Sequence, residues 1–231
     1  MSWKMIYLAR RNPALAAEDF PQAWREHSAL GSRCTNVRDK VLSVTQCSRI
    51  LDRPAALAGA SADYDGVNLL GLRDRQAADD IWSDEETLRI LRPDEPRVFS
   101  TYVRDFTLVA HESLLHCGPV SGTCVIGFLR LRSGVNCGDF ARAVHASTLS
   151  LWRASPVLDR ASRLVFNKVH GVPPTGYEYA AVLEAWFASP DEIAEVFDGT
   201  TLWQALPAPI AACLDLAGSV CMLTRVTHKR P

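Results

Sequence analysis

The residues best suited to chemistry lie on one predicted helix near the start of the chain. Phe20, Trp24 and His27 are spaced so that a helix places all three on one face. An imidazole in line with two aromatic rings is either a core-edge histidine bonded to the backbone or part of a pocket. In a pocket, a side chain that titrates near neutrality serves as a general acid or base. His27 is therefore the first catalytic candidate, with Phe20 and Trp24 as substrate-binding walls.

A second group of candidates precedes a predicted strand. Tyr64 is a phenol that could polarise a substrate carbonyl or hydroxyl, and Asp65 is a carboxylate that could orient His27. The alternative for Asp65 and Gly66 is purely structural, because this pair is typical of turns in which glycine adopts a positive φ. Both interpretations remain open for these residues.

The second half of the chain offers a separate candidate pocket. Glu184 shares a strand face with Val182 and Trp186, because side chains alternate along a strand. This places a carboxylate between apolar groups, so we take Glu184 as a catalytic candidate and Trp186 as a substrate-binding one. Cys47 ends an earlier strand and could line a cavity, although a buried structural role is more typical of a thiol.

These side chains need a scaffold, and the patterns of the first half predict one. Alternating or β-branched runs predict strands over 4–10, 41–50, 67–72 and 103–111. Helical spacing predicts helices over 18–39 and 75–91. The resulting order is β-α-β-β-α-β, which is the order of a ferredoxin-like unit.

The same order then begins again, at a nearly constant offset. Phe140 follows Phe20 by 120 residues, and Tyr179 follows Tyr64 by 115. Such an offset is typical of a tandem duplication, so we predict repeats over 1–111 and 122–231. Two ferredoxin-like units cover each other's open sheet, which predicts an α+β fold with a pseudo-symmetric α/β barrel. We expect a monomer with an internal pseudo-dimer, or an oligomer formed through helices and loops.

Composition excludes several classes of protein. The 231 residues carry a formal net charge of -1 with scattered arginines, so no nucleic-acid partner is expected. No run approaches the roughly 20 apolar residues of a membrane span, and the apolar N-terminal stretch is too short for a signal peptide. The seven cysteines have no paired spacing, which predicts free thiols, no structural metal and a cytoplasmic location.

Taken together, the motifs resemble the EthD family of the dimeric α/β-barrel superfamily. The resemblance rests on Asp19-Phe20, Trp24-Arg25-Glu26-His27 and Tyr64-Asp65-Gly66-Val67. A weaker second copy contains Tyr179, Val182, Glu184, Trp186 and Phe187, with Ala180-Ala181 in place of Asp-Gly. Relatives in the superfamily include isomerases, polyketide cyclases and dehydratases, cofactor-less monooxygenases and haem proteins.

The resemblance implies an enzyme of small-molecule catabolism that needs no cofactor. We expect a lyase (dehydratase) or isomerase that transfers protons on a small hydrophobic or aromatic oxygenated substrate. His27 would move the proton and Tyr64 would polarise the substrate. The alternatives are a non-catalytic protein that binds a small molecule or haem, and a cofactor-less monooxygenase of the same fold.

Overall fold

The eight strands of the protein form one closed antiparallel barrel in the order β1-β3-β2-β8-β5-β7-β6-β4. The structure is a computed structural model that describes residues 2–231, apart from the side chain of Asn36. Met1, with which the first predicted repeat begins, lies outside the described residues. The strands are β1 (Trp3–Ala9), β2 (Val41–Arg49), β3 (Gly66–Leu72), β4 (Thr107–His116), β5 (Thr123–Leu129), β6 (Arg163–Val169), β7 (Ala181–Phe187) and β8 (Val220–Arg230).

Each half of the chain contributes four neighbouring strands, and the two sets have corresponding orders. The first four lie in the order β4-β1-β3-β2, and the second four lie in the order β8-β5-β7-β6. The two sets meet along β2–β8 and β4–β6. The barrel therefore closes within a single chain, without a strand from another copy.

Ten α-helices cover the outside of the barrel within the described residues. They are α1 (Phe20–Leu30), α2 (Thr35–Lys40), α3 (Gln76–Ser83), α4 (Glu95–Val98), α5 (Cys137–Ala146), α6 (Leu149–Arg153), α7 (Pro156–Asp159), α8 (Pro190–Phe197), α9 (Leu202–Ala205) and α10 (Ala208–Ala211). Pro21 stands in the first turn of α1, where a missing N–H costs nothing.

Three predicted elements differ from the structure. The helix expected over 75–91 is α3 followed by a separate π-helical turn (Thr87–Leu91). The single helix expected over 18–39 is α1 followed by a 3₁₀ turn (Gly31–Arg33) and α2. The fourth strand begins later, because Val103–Phe106 forms a 3₁₀ turn, and it continues to His116. β4 thus extends past residue 111, where the first predicted repeat ends.

Side chains alternate between the barrel interior and the helical layer. Lys4 of β1 contacts Glu112 of β4 and Glu184 of β7, so that face of β1 points inward. Tyr7 lies on the opposite face and borders the same cavity as Trp24 of α1. A candidate site can therefore lie either inside the barrel or between the sheet and its helices.

None of the helices described in residues 2–231 is long and apolar enough to cross a membrane. All seven cysteines carry free thiols in this structure.

Candidate functional site

A small cavity lies between α1 and the outer face of the first four strands. Its volume is about 70 Å³. The polar side chains in its wall include those of His27, Tyr7, Asn68 and Arg230. Apolar side chains form the rest, and they include Trp24, Val37, Val41, Val44, Leu70, Ile81 and Leu91. The predicted face of α1 thus borders a pocket.

His27 and Asp94 form a hydrogen-bonded dyad at this cavity. His27 is 8% exposed, and its Nδ1 lies 2.9 Å from Oδ2 of Asp94. Asp94 precedes the short helix α4, and Arg97 of α4 donates to both of its carboxylate oxygens. Within residues 2–231 the imidazole Nε2 makes no hydrogen bond. The geometry fixes Nδ1 as the donor to Asp94 and leaves Nε2 to act as a base.

The protonation state of the dyad suits that role. Burial lowers the pKa of His27 and outweighs the hydrogen bond and charge of Asp94, which raise it. The hydrogen bond from Arg97 lowers the pKa of Asp94, against the effect of burial. At neutral pH the pair is therefore a neutral imidazole beside a carboxylate. A neutral imidazole accepts a proton from a substrate.

A row of polar residues crosses the sheet beneath α1. Tyr7 of β1 pairs with Asn68 of β3, which pairs with Gln46 of β2. Gln46 donates to the backbone carbonyl of Trp24 at 3.5 Å. The side-chain oxygens of Asn68 and Gln46 are buried and have no hydrogen-bond partner among the described residues. A buried acceptor without a partner is costly. Asn68 borders the cavity, so its oxygen could accept a hydrogen bond from a bound molecule.

The corresponding row in the second half is apolar. There Gly127 of β5 pairs with Leu183 of β7, which pairs with Phe166 of β6. The ring of Phe166 packs against Phe140 and Trp152, with centroids 6.2 and 5.9 Å away. The helical layer of the second half is thus filled by side chains at the place where the first half holds its polar row.

Close packing of Trp24 against β3 fixes one wall of the cavity. A Cβ on Gly66 would lie 2.6 Å from Cζ3 of Trp24 and 2.9 Å from the carbonyl oxygen of Cys47. Gly66 has no positive φ, so the structural reason that we expected for this glycine is wrong. It is needed because the indole and a neighbouring strand approach the backbone.

We expect Gly66→Ala to destabilise the protein and disturb the cavity. Overpacking a tight core typically costs about 1–3 kcal/mol, and here one of the opposing atoms belongs to the backbone. Gly122→Ala is the matched control, because its nearest heavy atom lies 3.9 Å away. Thermal denaturation of both variants provides the measurement, and equal melting temperatures would contradict the expectation.

Tyr64 and Asp65 lie outside this cavity, which corrects the arrangement expected for them. Asp65 accepts a hydrogen bond from the backbone N–H of Arg11 and forms ion pairs with the guanidinium groups of Arg11 and Arg49. The guanidinium of Arg10 lies over the ring of Tyr64, with its carbon Cζ 4.2 Å from the ring centroid. Asp94 takes the position beside His27 that we had assigned to Asp65.

Phe20 was expected to form a wall of the pocket, but it does not border this cavity and packs against neighbouring aromatic rings instead. Its ring centroid lies 5.0 Å from that of Trp24 and 6.2 Å from that of Phe99. The ring of Phe99 lies edge-on to His27, at 5.4 Å. Phe20, Trp24 and Phe99 thus form a packed aromatic cluster, and Phe99 contacts the imidazole ring of His27.

Glu184 lies inside the barrel, in a charged network that joins the two halves. It is 2% exposed, and Oε1 accepts from Lys4 at 2.6 Å and from Asn167 at 2.8 Å. Trp186 donates its indole N–H to Oε2 at 3.1 Å. Lys4 also pairs with Glu112 at 2.5 Å. These contacts fix the orientation of the Glu184 carboxylate and give both of its oxygens hydrogen-bond partners. Such bonding is expected of an ion pair with a structural role.

The network borders a larger cavity at one end of the barrel. That cavity has a volume of about 300 Å³ and is lined by Lys4, Glu112, Glu184, Trp186 and other residues. Glu184 and Trp186 therefore share a cavity that is separate from the one beside His27. It is not a pocket of the second half alone, because first-half residues such as Lys4, Leu69 and Glu112 form much of its wall. The roles of Glu184 and Trp186 in chemistry or binding remain predictions.

Cys47 is a buried neutral thiol of the barrel interior. It is 0% exposed, and burial, followed by the charge of Glu184, raises the pKa of its thiol. Burial likewise raises the pKa of Cys124. A thiol that stays protonated is a poor nucleophile, so packing is the role that this geometry favours for Cys47.

Sequence reasoning missed the polar residues Tyr7, Asn68 and Arg230 of the cavity wall. It also missed Asp94, which is bonded to His27. Tyr7 and Asn68 interrupt otherwise apolar strands, and that interruption is a signal present in the sequence. Asp94 lies in a proline-containing segment, 67 residues from His27, and no spacing rule connects the two.

The barrel and its helical layer define the class: the fold is that of a dimeric α/β barrel contained in one chain. The sequence matches no known family model and no curated protein. Among solved structures, the fold is similar to that of an anthrone oxidase-like protein. The TM-score is 0.66 at 12% identity, over 99% of this chain and 92% of that one.

Two further structures show the same fold. A monooxygenase-like protein from Fusobacterium nucleatum has a TM-score of 0.57 at 8% identity, over 99% of this chain and 94% of that one. A chlorite dismutase variant from Candidatus Nitrospira defluvii has a TM-score of 0.51 at 10% identity, over 100% of this chain and 91% of that one. At such identities the similarity shows the fold.

The residues of the candidate site do not fit a haem. Pockets for ligands of that size occupy at least about 300 Å³, whereas the cavity beside His27 has about 70 Å³. The Nδ1 of His27 is bonded to Asp94, and the equivalent layer of the second half is filled by Phe140, Trp152 and Phe166. Among residues 2–231, no histidine lines the 300 Å³ cavity beside Glu184, so that cavity offers no imidazole to a haem iron.

Proposed function

We propose that this protein is a cofactor-independent enzyme that transfers protons on a small oxygenated substrate, with His27 as the general base. The observation that carries the proposal is the His27–Asp94 dyad, whose buried imidazole borders the cavity with Nε2 unbonded within residues 2–231. Trp24 provides an apolar wall for the substrate. The cavity is small, so it admits the reacting end of a molecule.

The chemistry begins with removal of a proton. His27 Nε2 takes a proton from a carbon or hydroxyl next to a carbonyl, and the electron pair remains on the substrate as an enolate or phenolate. The imidazolium is stabilised by the carboxylate of Asp94. Tyr7 can donate its phenol hydrogen to the developing oxyanion, because burial, with a smaller contribution from the charge of Glu95, raises its pKa and keeps it protonated.

Two outcomes of that step correspond to the lyase and isomerase that we favour. In an isomerase, the imidazolium returns the proton to a different atom. In a lyase, a leaving hydroxyl takes the proton and departs as water. Tyr64, Asp65 and Glu184 are not part of this cycle, because they lie elsewhere in the fold.

The second candidate is a cofactor-less oxygenase, which the names of two similar structures favour. The same deprotonation prepares an electron-rich substrate anion. Molecular oxygen would then act as the oxidant, with one oxygen atom entering the substrate and the other leaving as water. The two candidates share the role of His27 and differ in the fate of the substrate anion.

We propose that the chain arose by tandem duplication of a ferredoxin-like unit of the EthD type, with repeats near 1–111 and 122–231. The corresponding orders of the two strand sets support this. Free thiols support a reducing, cytoplasmic location.

A substrate panel in heavy water tests the function. Small aromatic and aliphatic hydroxy and carbonyl compounds are incubated with the wild type and with His27→Gln. Deuterium incorporation indicates an isomerase, loss of water a lyase, and oxygen uptake an oxygenase. If His27→Gln is folded and fully active on any substrate found, the assignment of the base is wrong.

The dyad also predicts a specific pH dependence. Because burial lowers the pKa of His27 from 6.5, activity should rise with pH to a plateau, with a midpoint below 6.5. Asp94 raises that pKa, so Asp94→Asn should shift the midpoint of kcat/KM to a still lower pH. A midpoint that does not move would show that Asp94 plays no positioning role.

A further inference from the structure

We infer that the substrate of the cavity beside His27 carries a carboxylate, and that Arg230 is the residue that binds it. This inference rests on the proposed function of the cavity and names the chemical class of its substrate. The groups that carry it lie at the mouth and in the wall of the cavity.

Arg230 reaches the cavity from the other half of the chain. It lies near the end of β8, where it pairs with Val44 of β2, and both residues border the cavity together with His27. Its side chain is neither buried nor fully exposed. In the described part of the chain this guanidinium forms no ion pair. A cation at the rim of an apolar pocket, with its donors available, is well suited to a bidentate carboxylate.

The electrostatics of the rim also favour an anion. Arg25 of α1 and Arg230 both lie close enough to His228 to act on it: burial lowers the pKa of His228, and the charges of the two arginines add to that effect. Arg25 likewise forms no ion pair among residues 2–231. Asp94, the carboxylate bonded to His27, also pairs with Arg97. The surroundings of Arg230 are thus positively charged, and Arg97 balances the charge of Asp94.

The interior of the cavity supplies the complementary polar contact. Asn68 is 4% exposed, borders the cavity and has a buried side-chain oxygen without a partner among the described residues. Since oxygen and nitrogen of an amide are assigned from their surroundings, this group can present an acceptor to a substrate hydroxyl or a donor to a substrate oxygen. An oxygenated acid would therefore bind with its carboxylate on Arg230 and its other oxygen towards Asn68.

This orientation places the reacting carbon beside the base. Arg230 and His27 line the same cavity of about 70 Å³, so a small molecule held by Arg230 extends towards the imidazole. The proton next to the anchored carboxylate or its neighbouring carbonyl is then the one within reach. Small hydroxy, oxo and unsaturated acids are the compounds that satisfy this geometry.

Binding of matched acid and amide probes tests the inference without any need for turnover. Propionate and propionamide have nearly the same shape, and NMR titration of the His27 imidazole reports occupancy of the cavity. We expect propionate to bind roughly 10- to 100-fold more tightly than propionamide, since a charged hydrogen bond contributes that much. Arg230→Gln should abolish the difference, and Arg230→Lys should restore part of it.

Arg225→Gln is the control, because Arg225 lies on the same strand and is paired with Asp52 away from the cavity. It should leave both affinities unchanged. Equal binding of the two probes to the wild type, or an unchanged preference for propionate in Arg230→Gln, would overturn the inference. The proposed base is tested separately, because an active His27→Gln variant refutes the general base without affecting propionate binding.

Discussion

Replacing His27 with glutamine should lower turnover by roughly 10²–10⁴-fold, which is the usual contribution of a general acid or base. The amide of glutamine can still donate to Asp94, so the hydrogen bond that holds α1 to α4 is retained. The loss should therefore appear in kcat, while substrate binding and the melting temperature change little. Steady-state kinetics together with thermal denaturation separate the two effects.

The control for this variant is His145→Gln. His145 lies on α5 and is exposed, so its replacement should leave activity unchanged. A buried histidine with a purely structural role predicts the reverse pattern for His27→Gln, with lower stability and full activity per folded molecule. If Glu184→Gln abolishes activity while His27→Gln is fully active, the working site lies inside the barrel.

Replacing Lys4 with methionine should lower the stability of the fold more than Gly66→Ala does. It leaves Glu112 and Glu184 close together, partly or fully buried, without their shared cation. Removing one member of a buried ion pair typically costs about 3–5 kcal/mol. In a chain of this size that corresponds to a fall in melting temperature of roughly 6–20 °C, which thermal denaturation measures.

A second variant distinguishes the lost charge from lost packing. Lys4→Met combined with Glu184→Leu removes the unpaired buried carboxylate, so it should recover part of the stability. The control is Arg104→Met, because Arg104 forms an exposed ion pair with Asp105 and such pairs contribute little. If Lys4→Met melts at the same temperature as the wild type, the network does not hold the halves together.

The pH range of this network is set by the pKa shifts of its members. Burial lowers the pKa of Lys4, but Glu184 and Glu112 outweigh it, so the pKa is raised above 10.5. Its contribution to stability is full below pH 10.5 and is lost as the pH rises through the raised pKa. Burial raises the pKa of Glu112, but Lys4 outweighs it, so the pKa falls below 4.5. That contribution is lost as the pH falls through the lowered pKa.

Local patterns predicted the scaffold better than the site. Alternation and helical spacing located the strands and α1, because those signals depend on neighbours within a few residues. The face of α1 that carries Trp24 and His27 was predicted for the same reason. The cavity that this face borders is present between α1 and the sheet.

The partners of His27 could not be predicted, because they depend on tertiary packing. Asp94 reaches the imidazole from a different helix, and Arg230 reaches the cavity from the opposite half of the chain. Asp65 was the wrong choice of partner for His27, because it forms ion pairs with Arg11 and Arg49 instead. No motif in the sequence connects these two arginines with Asp65. The strand pattern predicted which face of β7 carries Glu184. It did not predict the ion pair with Lys4, which lies 180 residues earlier in the sequence.

The way the barrel closes determines the order in which the molecule can be assembled. The first four strands leave β2 and β4 as open edges until β8 and β6 exist to pair with them. Unpaired edges are templates for association with another chain, and pairings between distant segments form slowly. Arg230 lies on the strand that covers β2. We therefore expect the complete cavity to form late in folding, and a chain that has not closed to be prone to association through its open edges.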